Sequence, residues 1–107
     1  MADILIKQND ILNKEKVLET IQKHKNIFTK YHVKTLALFG STARNEATES
    51  SDLDFLVEFN ITPTFDNYMD LKFYLEKLFK KPIDLVIKED LKPIIKDQVI
   101  QEAFYVS

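Results

Sequence analysis

Two aspartates one residue apart, Asp52 and Asp54, open an apolar run, and a third, Asp84, interrupts another. Carboxylates are hard oxygen donors, and a group of them suits a divalent cation such as Mg2+. Residues at i and i+2 of a strand project from one face, with α-carbons roughly 6.6–7 Å apart. Asp52 and Asp54 can therefore converge on one hard cation, or on two ions about 3.5–4 Å apart. Leu53 and Phe55 then point the other way, into a core. The alternative is a solvated strand end with two surface acids. Against it stands the context, because Asp is a poor strand residue and this pair leads into Phe55-Leu56-Val57.

Asp84 is flanked by Ile83, Leu85, Val86 and Ile87. If its strand neighbours the one begun by Asp52, all three acids share a face. Three carboxylates at about 5 Å would repel by roughly 1–3 kcal/mol per pair at surface-like dielectric. Protons or a divalent cation must then relieve them. If the sheet is half exposed, Asp84 simply faces solvent.

The third element of chemistry is Gly40-Ser41, where the run Val33–Phe39 stops. Gly40 is the only glycine in the chain, so it is expected where a side chain could not be accommodated. A glycine between strand and helix lets backbone approach a phosphate, and free N–H groups at the helix start point at the anion. Ser41 can add a hydrogen bond and Arg44, about one turn on, a positive charge. The same dipeptide also reads as an ordinary turn with Ser41 as N-cap.

These residues need a scaffold, and the hydrophobic periodicity supplies one. From Asn13, a plausible N-cap, Val17, Leu18, Ile21, Phe28 and Tyr31 follow a helical period to about Lys30. Val33–Phe39 reads as a buried strand, and residues 42–47 as one or two helical turns. A strand over 52–59, a helix over 65–80 and a strand over 82–87 follow. Pro93 suits a first helical turn, with Ile95, Val99 and Ala103 on the inner face. Phe104-Tyr105-Val106 either packs on the sheet or faces a partner. The expected fold is α+β, close to α/β, with a small mixed sheet of three or more strands flanked by helices. Residues 1–107 form one domain, with 1–12 a loose arm or short helix.

Composition narrows the function. With 107 residues there is room for a single core. The absence of cysteine excludes disulfides, thiolate zinc sites and cysteine nucleophiles. A net charge of −2 gives no global reason to expect direct nucleic-acid binding. Lys72, Lys77, Lys80 and Lys81 read as a solvated helix face, with an acidic partner or an RNA-bound toxin as the alternative. His24 and His32 are not needed for the chemistry. The N-terminal stretch lacks a long apolar segment, so a cytoplasmic protein without a membrane partner is expected.

The pieces join into one string, Gly40-Ser41, ten residues, Asp52-Leu53-Asp54. It resembles the Gly-Ser-x10-Asp-x-Asp signature of the DNA polymerase β-type nucleotidyltransferases. Four fixed positions match by chance in about one chain in a thousand of this length at average residue usage. Across nearly the whole chain the sequence is similar to the minimal nucleotidyltransferases, the MNT-domain antitoxins of HEPN/MNT toxin–antitoxin systems. The resemblance rests also on Ala43-Arg44, Glu46-Ala47, Ser51, Ile83-Asp84-Leu85-Val86 and the stretch from Leu91 to Val106. Asn45 departs from it, since relatives often have glycine there, but Asn is the side chain most tolerant of left-handed backbone.

The resemblance implies that Gly40 and Ser41 hold the triphosphate of ATP, with Arg44 as a phosphate contact. It implies that Asp52 and Asp54 bind metal, two Mg2+ ions in all, and that Asp84 is the third acid and helps to activate the acceptor hydroxyl. It further implies an antitoxin that moves AMP from ATP onto a tyrosine of a cognate HEPN ribonuclease. The acceptor would then arrive on that partner, in a hetero-oligomer, although a homo-oligomer is also open. Two other functions remain: an inert antitoxin that neutralises by binding, and a small-molecule nucleotidyltransferase.

Overall fold

The computed structural model describes residues 11–106; the expected N-terminal arm lies largely outside them. Its order is α1 (Lys14–Gln22), α2 (Asn26–Lys30), β1 (Val33–Phe39), α3 (Gly40–Ala43), β2 (Leu53–Phe59), α4 (Phe65–Phe79), β3 (Ile83–Ile87), a 3-10 turn (Lys88–Asp90), α5 (Pro93–Glu102) and β4 (Phe104–Val106). The four strands form one mixed sheet in the order β3-β2-β1-β4. β1 runs antiparallel to β2 and β4, and β2 is parallel to β3. That parallel pair requires a crossover, and α4 provides it. No helix among the described residues is long and apolar enough to cross a membrane.

Strand alternation divides the sheet into two faces. Leu53, Phe55, Val57 and Phe59 of β2 join Leu36, Leu38, Ile83, Leu85 and Val106 in one buried cluster with the helices. Val17, Ile21 and Ile27 enter it from α1 and α2, and Leu71, Leu75 and Phe79 from α4. The Phe55 and Phe79 rings lie 5.8 Å apart, and burying each such side chain stabilises the fold by about 1.5–3 kcal/mol. The intervening residues, Asp54 and Asp84 among them, face the other side.

The helix expected over 13–30 is two helices, and His24 shows why. Asn13 caps α1 as expected, its side chain accepting from Lys16 N at 2.8 Å. At the far end the His24 ring lies 2.8 Å from the Thr20 carbonyl, the acceptor its own amide would take in a continuing helix. That amide turns to Ile21 O instead, at 2.9 Å, which tightens the last turn and ends the helix. The restart shifts the buried position from Phe28, which is half-buried, to Ile27, which is fully buried.

Two further boundaries differ. Residues 42–47 are not the helix; α3 runs Gly40–Ala43 and Phe39, not Ser41, holds the cap position. α5 begins at Pro93 as expected, but none of its residues is buried and Ile95 is 44% exposed. The C-terminal Phe104-Tyr105-Val106 resolves to a fourth strand on β1, with Val106 buried and Phe104 and Tyr105 exposed.

Candidate active site

The parallel register of β2 and β3 sets Asp54 directly beside Asp84. Side chains opposite each other in a ladder share a face, so the two carboxylates stand together on the side away from the helical core. Asp54 is half-buried and Asp84 is exposed. Asp84 thus escapes the desolvation cost that its apolar neighbours suggest, because the strand's outer face is open. Asp52 precedes β2 by one residue and is exposed. It lies close enough for its charge to act on Asp54.

The electrostatics mark Asp54 as the centre. Its carboxyl is pushed up to about 6, first by burial, then by the charges of Asp84 and Asp52 and a hydrogen bond with Asp84, against a smaller opposing pull from Arg44. A carboxyl at that value is ionised at neutral pH only against repulsion, which a cation would relieve. Every donor in the group is a carboxylate oxygen, a set that fits Mg2+. Among the described residues, no three acidic or imidazole side chains are already drawn into a metal cage. Asp54 and Asp84 are paired; Asp52 stands at the rim.

Gly40 belongs to this cluster for a steric reason. It has φ +76°, and a methyl group built on it would run into the Asp54 carboxylate, 2.9 Å from Cγ. The expectation that a side chain could not fit there is correct, and what excludes it is the central acid itself. The Ser41 hydroxyl makes no hydrogen bond among the described residues and is not used as a cap. Arg44 is exposed and shared between Glu46, at 3.0 Å, and Glu102 on α5, at 3.5 Å. These acids, Glu46 foremost, raise its pKa. Asn45 adopts φ +57°, the left-handed turn foreseen for it.

Other groups fall away from the cluster. His24 meets Tyr74 edge-on, ring centroids 6.4 Å apart, among the helices. His32 turns α2 into β1 with φ +59°. A 760 Å³ groove is lined by Tyr31, Phe73, Tyr74 and Lys77, and none of the three acids borders it. The carboxylates define the site better than that concavity, because Asp54 and Asp84 stand side by side against the Gly40 turn, whereas Glu76 in the groove is paired with Lys72. Lys81 is a correction: it is 6% exposed and no part of a solvated basic face. Lys72 is occupied by Glu76 at 3.3 Å. Sequence periodicity missed Lys81 because an ammonium beside Pro82 looks like a helix-end charge. Its one available signal was its place directly before the strand of Asp84.

The profile of the nucleotidyltransferase domain family matches residues 21–106. A Methanocaldococcus jannaschii protein, provisionally named a protein adenylyltransferase, is 46% identical over 92 residues, spanning 84% of this chain and 94% of its own. This chain belongs to the nucleotidyltransferase family, in its protein adenylyltransferase branch. As a nucleotidyltransferase it is a transferase acting with a nucleotide substrate. The protein adenylyltransferase MntA of Thermococcus cleftensis is 36% identical over 97 residues, 90% of this chain and 98% of that one. A solved minimal nucleotidyltransferase shares the fold with a TM-score of 0.76 and 32% identity, over 87% of this chain and 95% of that one. The fold is shared too with the complex of a tri-AMPylated Shewanella oneidensis HEPN toxin and its MNT antitoxin, at TM-score 0.62 and 18% identity, covering 83% and 70% of the two chains.

Proposed function

We propose that this chain is an antitoxin, a single minimal nucleotidyltransferase domain that transfers AMP from ATP to a tyrosine hydroxyl of a cognate HEPN toxin. The observation that carries this reading is the side-by-side placement of Asp54 and Asp84 against the Gly40 turn. A protein acceptor is supported by likeness to relatives named protein adenylyltransferases. The HEPN toxin as partner is supported by the sequence signature and by the fold shared with a HEPN–MNT complex. The near-neutral charge agrees with a protein partner and no direct contact to nucleic acid. The reaction belongs in the cytoplasm, where ATP is available.

Asp52, Asp54 and Asp84 would hold a pair of Mg2+ ions, which when bound neutralise triphosphate charge and lower the acceptor's pKa. The rest follows from the chain's own groups. The acceptor oxygen bonds to the α-phosphorus, the bond from that phosphorus to the β-bridging oxygen breaks, and pyrophosphate departs. Asp84, exposed beside Asp54, takes the acceptor proton. The unengaged Ser41 hydroxyl donates to a phosphate oxygen, and the amides at the start of α3 have no intrahelical acceptors to compete with it. Arg44 exchanges its carboxylate partners for phosphate.

Incubation with ATP, Mg2+ and a candidate HEPN partner, followed by intact mass, tests the reading. The partner should gain mass in multiples of one AMP, and Asp54→Asn should abolish the gain. Neutralisation that survives in Asp54→Asn without any mass change would reduce the chain to a toxin-capping protein.

A further inference from the structure

Among the described residues Lys81 is the one charged side chain that is buried. An ammonium is costly to remove from water unless it is hydrogen-bonded. Its Nζ donates to the Glu49 carbonyl at 2.9 Å, across 32 positions of sequence. Glu49 lies in the loop that delivers Asp52. Within that loop Thr48 N donates to Ser51 Oγ at 2.8 Å and Ser51 N to Thr48 O at 3.1 Å. Those bonds shape the turn without attaching it to anything.

The loop is anchored at its two ends, by Glu46 N to Ser41 O at 2.8 Å and by Leu53 N to Pro82 O at 3.1 Å. Between them, among the described residues, the Lys81 bond is the only hydrogen bond from residues 47–52 to the rest of the chain. Lys81 and Pro82 therefore grip the loop on both sides of Asp52, from the segment that leads into Asp84. We infer that Lys81 is a positioning residue, whose buried ammonium straps the Asp52 loop to the head of β3 and so sets the spacing of the acids that receive the cation. The inference rests on the proposed role of Asp52, Asp54 and Asp84 as metal ligands. An aliphatic side chain of the same length would fill the space and leave the Glu49 carbonyl unheld.

Calorimetric titration with Mn2+ alone, on the whole chain without nucleotide, tests this apart from activity. Lys81→Met should bind Mn2+ at least about tenfold more weakly, the range typical for groups that orient metal ligands. It should also raise the Mg2+ concentration for half-maximal transfer by a similar factor, with the rate at saturating Mg2+ nearly unchanged. Lys81→Arg, which keeps charge and donors, should restore most of the affinity. A folded Lys81→Met with the affinity of the parent overturns the inference. Should that variant not fold, Lys81→Leu, which also has no donor, serves, and unaltered affinity in it has the same meaning. Asp54→Asn in the same titration separates the two claims. If it abolishes binding while Lys81→Met keeps the affinity of the parent, only the strap is lost; if it too leaves binding intact, the metal-site reading falls with it.

Discussion

Asp54 sits between a packed core and two like charges, and both forces hold its carboxyl near pH 6 instead of 3.8. A carboxyl raised on folding makes the native state bind the extra proton. Its favourable contribution is present below the unfolded value and is lost as pH rises from about 4 to 6. A rise of that size corresponds to about 3 kcal/mol at most. Solvent reaches much of this group, so screening leaves on the order of 1 kcal/mol. Asp54→Asn should accordingly raise the denaturation midpoint of the metal-free chain at pH 7–8 and close most of that gap at pH 4. Urea titrations of both proteins across this range measure it. An identical pH profile for the two would show that Asp54 is unstrained. Gly40 complements this residue: it yields the volume that lets the carboxylate lie against the backbone.

Among the elements, short connections hold the acids in register. The β2–β3 ladder is fixed by the alternation of Leu53, Phe55 and Val57 against Ile83 and Leu85, since a one-residue slip would send the aspartates into the core. The turn after α3 depends on Asn45, whose left-handed backbone comes with a side-chain bond: its Oδ1 accepts from Lys14 N at 3.1 Å. Asn45→Ala loses both the tolerated conformation and the bond and should cost about 1–2 kcal/mol. Asn45→Gly keeps the backbone and loses only the bond, so its cost should stay below about 1 kcal/mol. Thermal denaturation of the two variants checks the order. Equal losses would mean that the side-chain bond, not the turn, governs this site. Tyr68 of α4 adds a further brace, its hydroxyl donating to the Leu85 carbonyl at 2.5 Å on the strand of Asp84.

For the molecule as a unit, α1, α2 and α4 pack on one face of the sheet and Asp54 and Asp84 point to the other, so a ligand reaches the carboxylates without disturbing the main core. Binding there couples to global stability by mass action. Mg2+ at a hundred times its dissociation constant should stabilise the fold by about 2.7 kcal/mol. The gain should shrink as pH falls through 6, where protons compete for Asp54. EDTA should return the melting temperature to the metal-free value. A melting temperature indifferent to Mg2+ at pH 8 would contradict the proposed site. On the proposed reading such an arrangement sacrifices stability for function, since like charges that repel in the free protein would become ligands in the loaded one.

Local pattern was enough to place the strand of residues 33–39, the Pro93 start of α5, the spacing of Gly40, Asp52 and Asp54, and the left-handed tolerance of Asn45. These properties are written in alternation, capping and the preferences of one or two residues. Folding in three dimensions was needed to stand Asp84 beside Asp54, because strand pairing joins residues thirty apart and periodicity cannot name a partner. It also split the first helix at His24, where a ring took a backbone acceptor, and drew Lys81 inward to the Glu49 carbonyl. Hydrophobic patterning records which residues avoid water. It does not record which buried polar group finds which distant oxygen, and the placement of the Asp52 loop depends on that pairing.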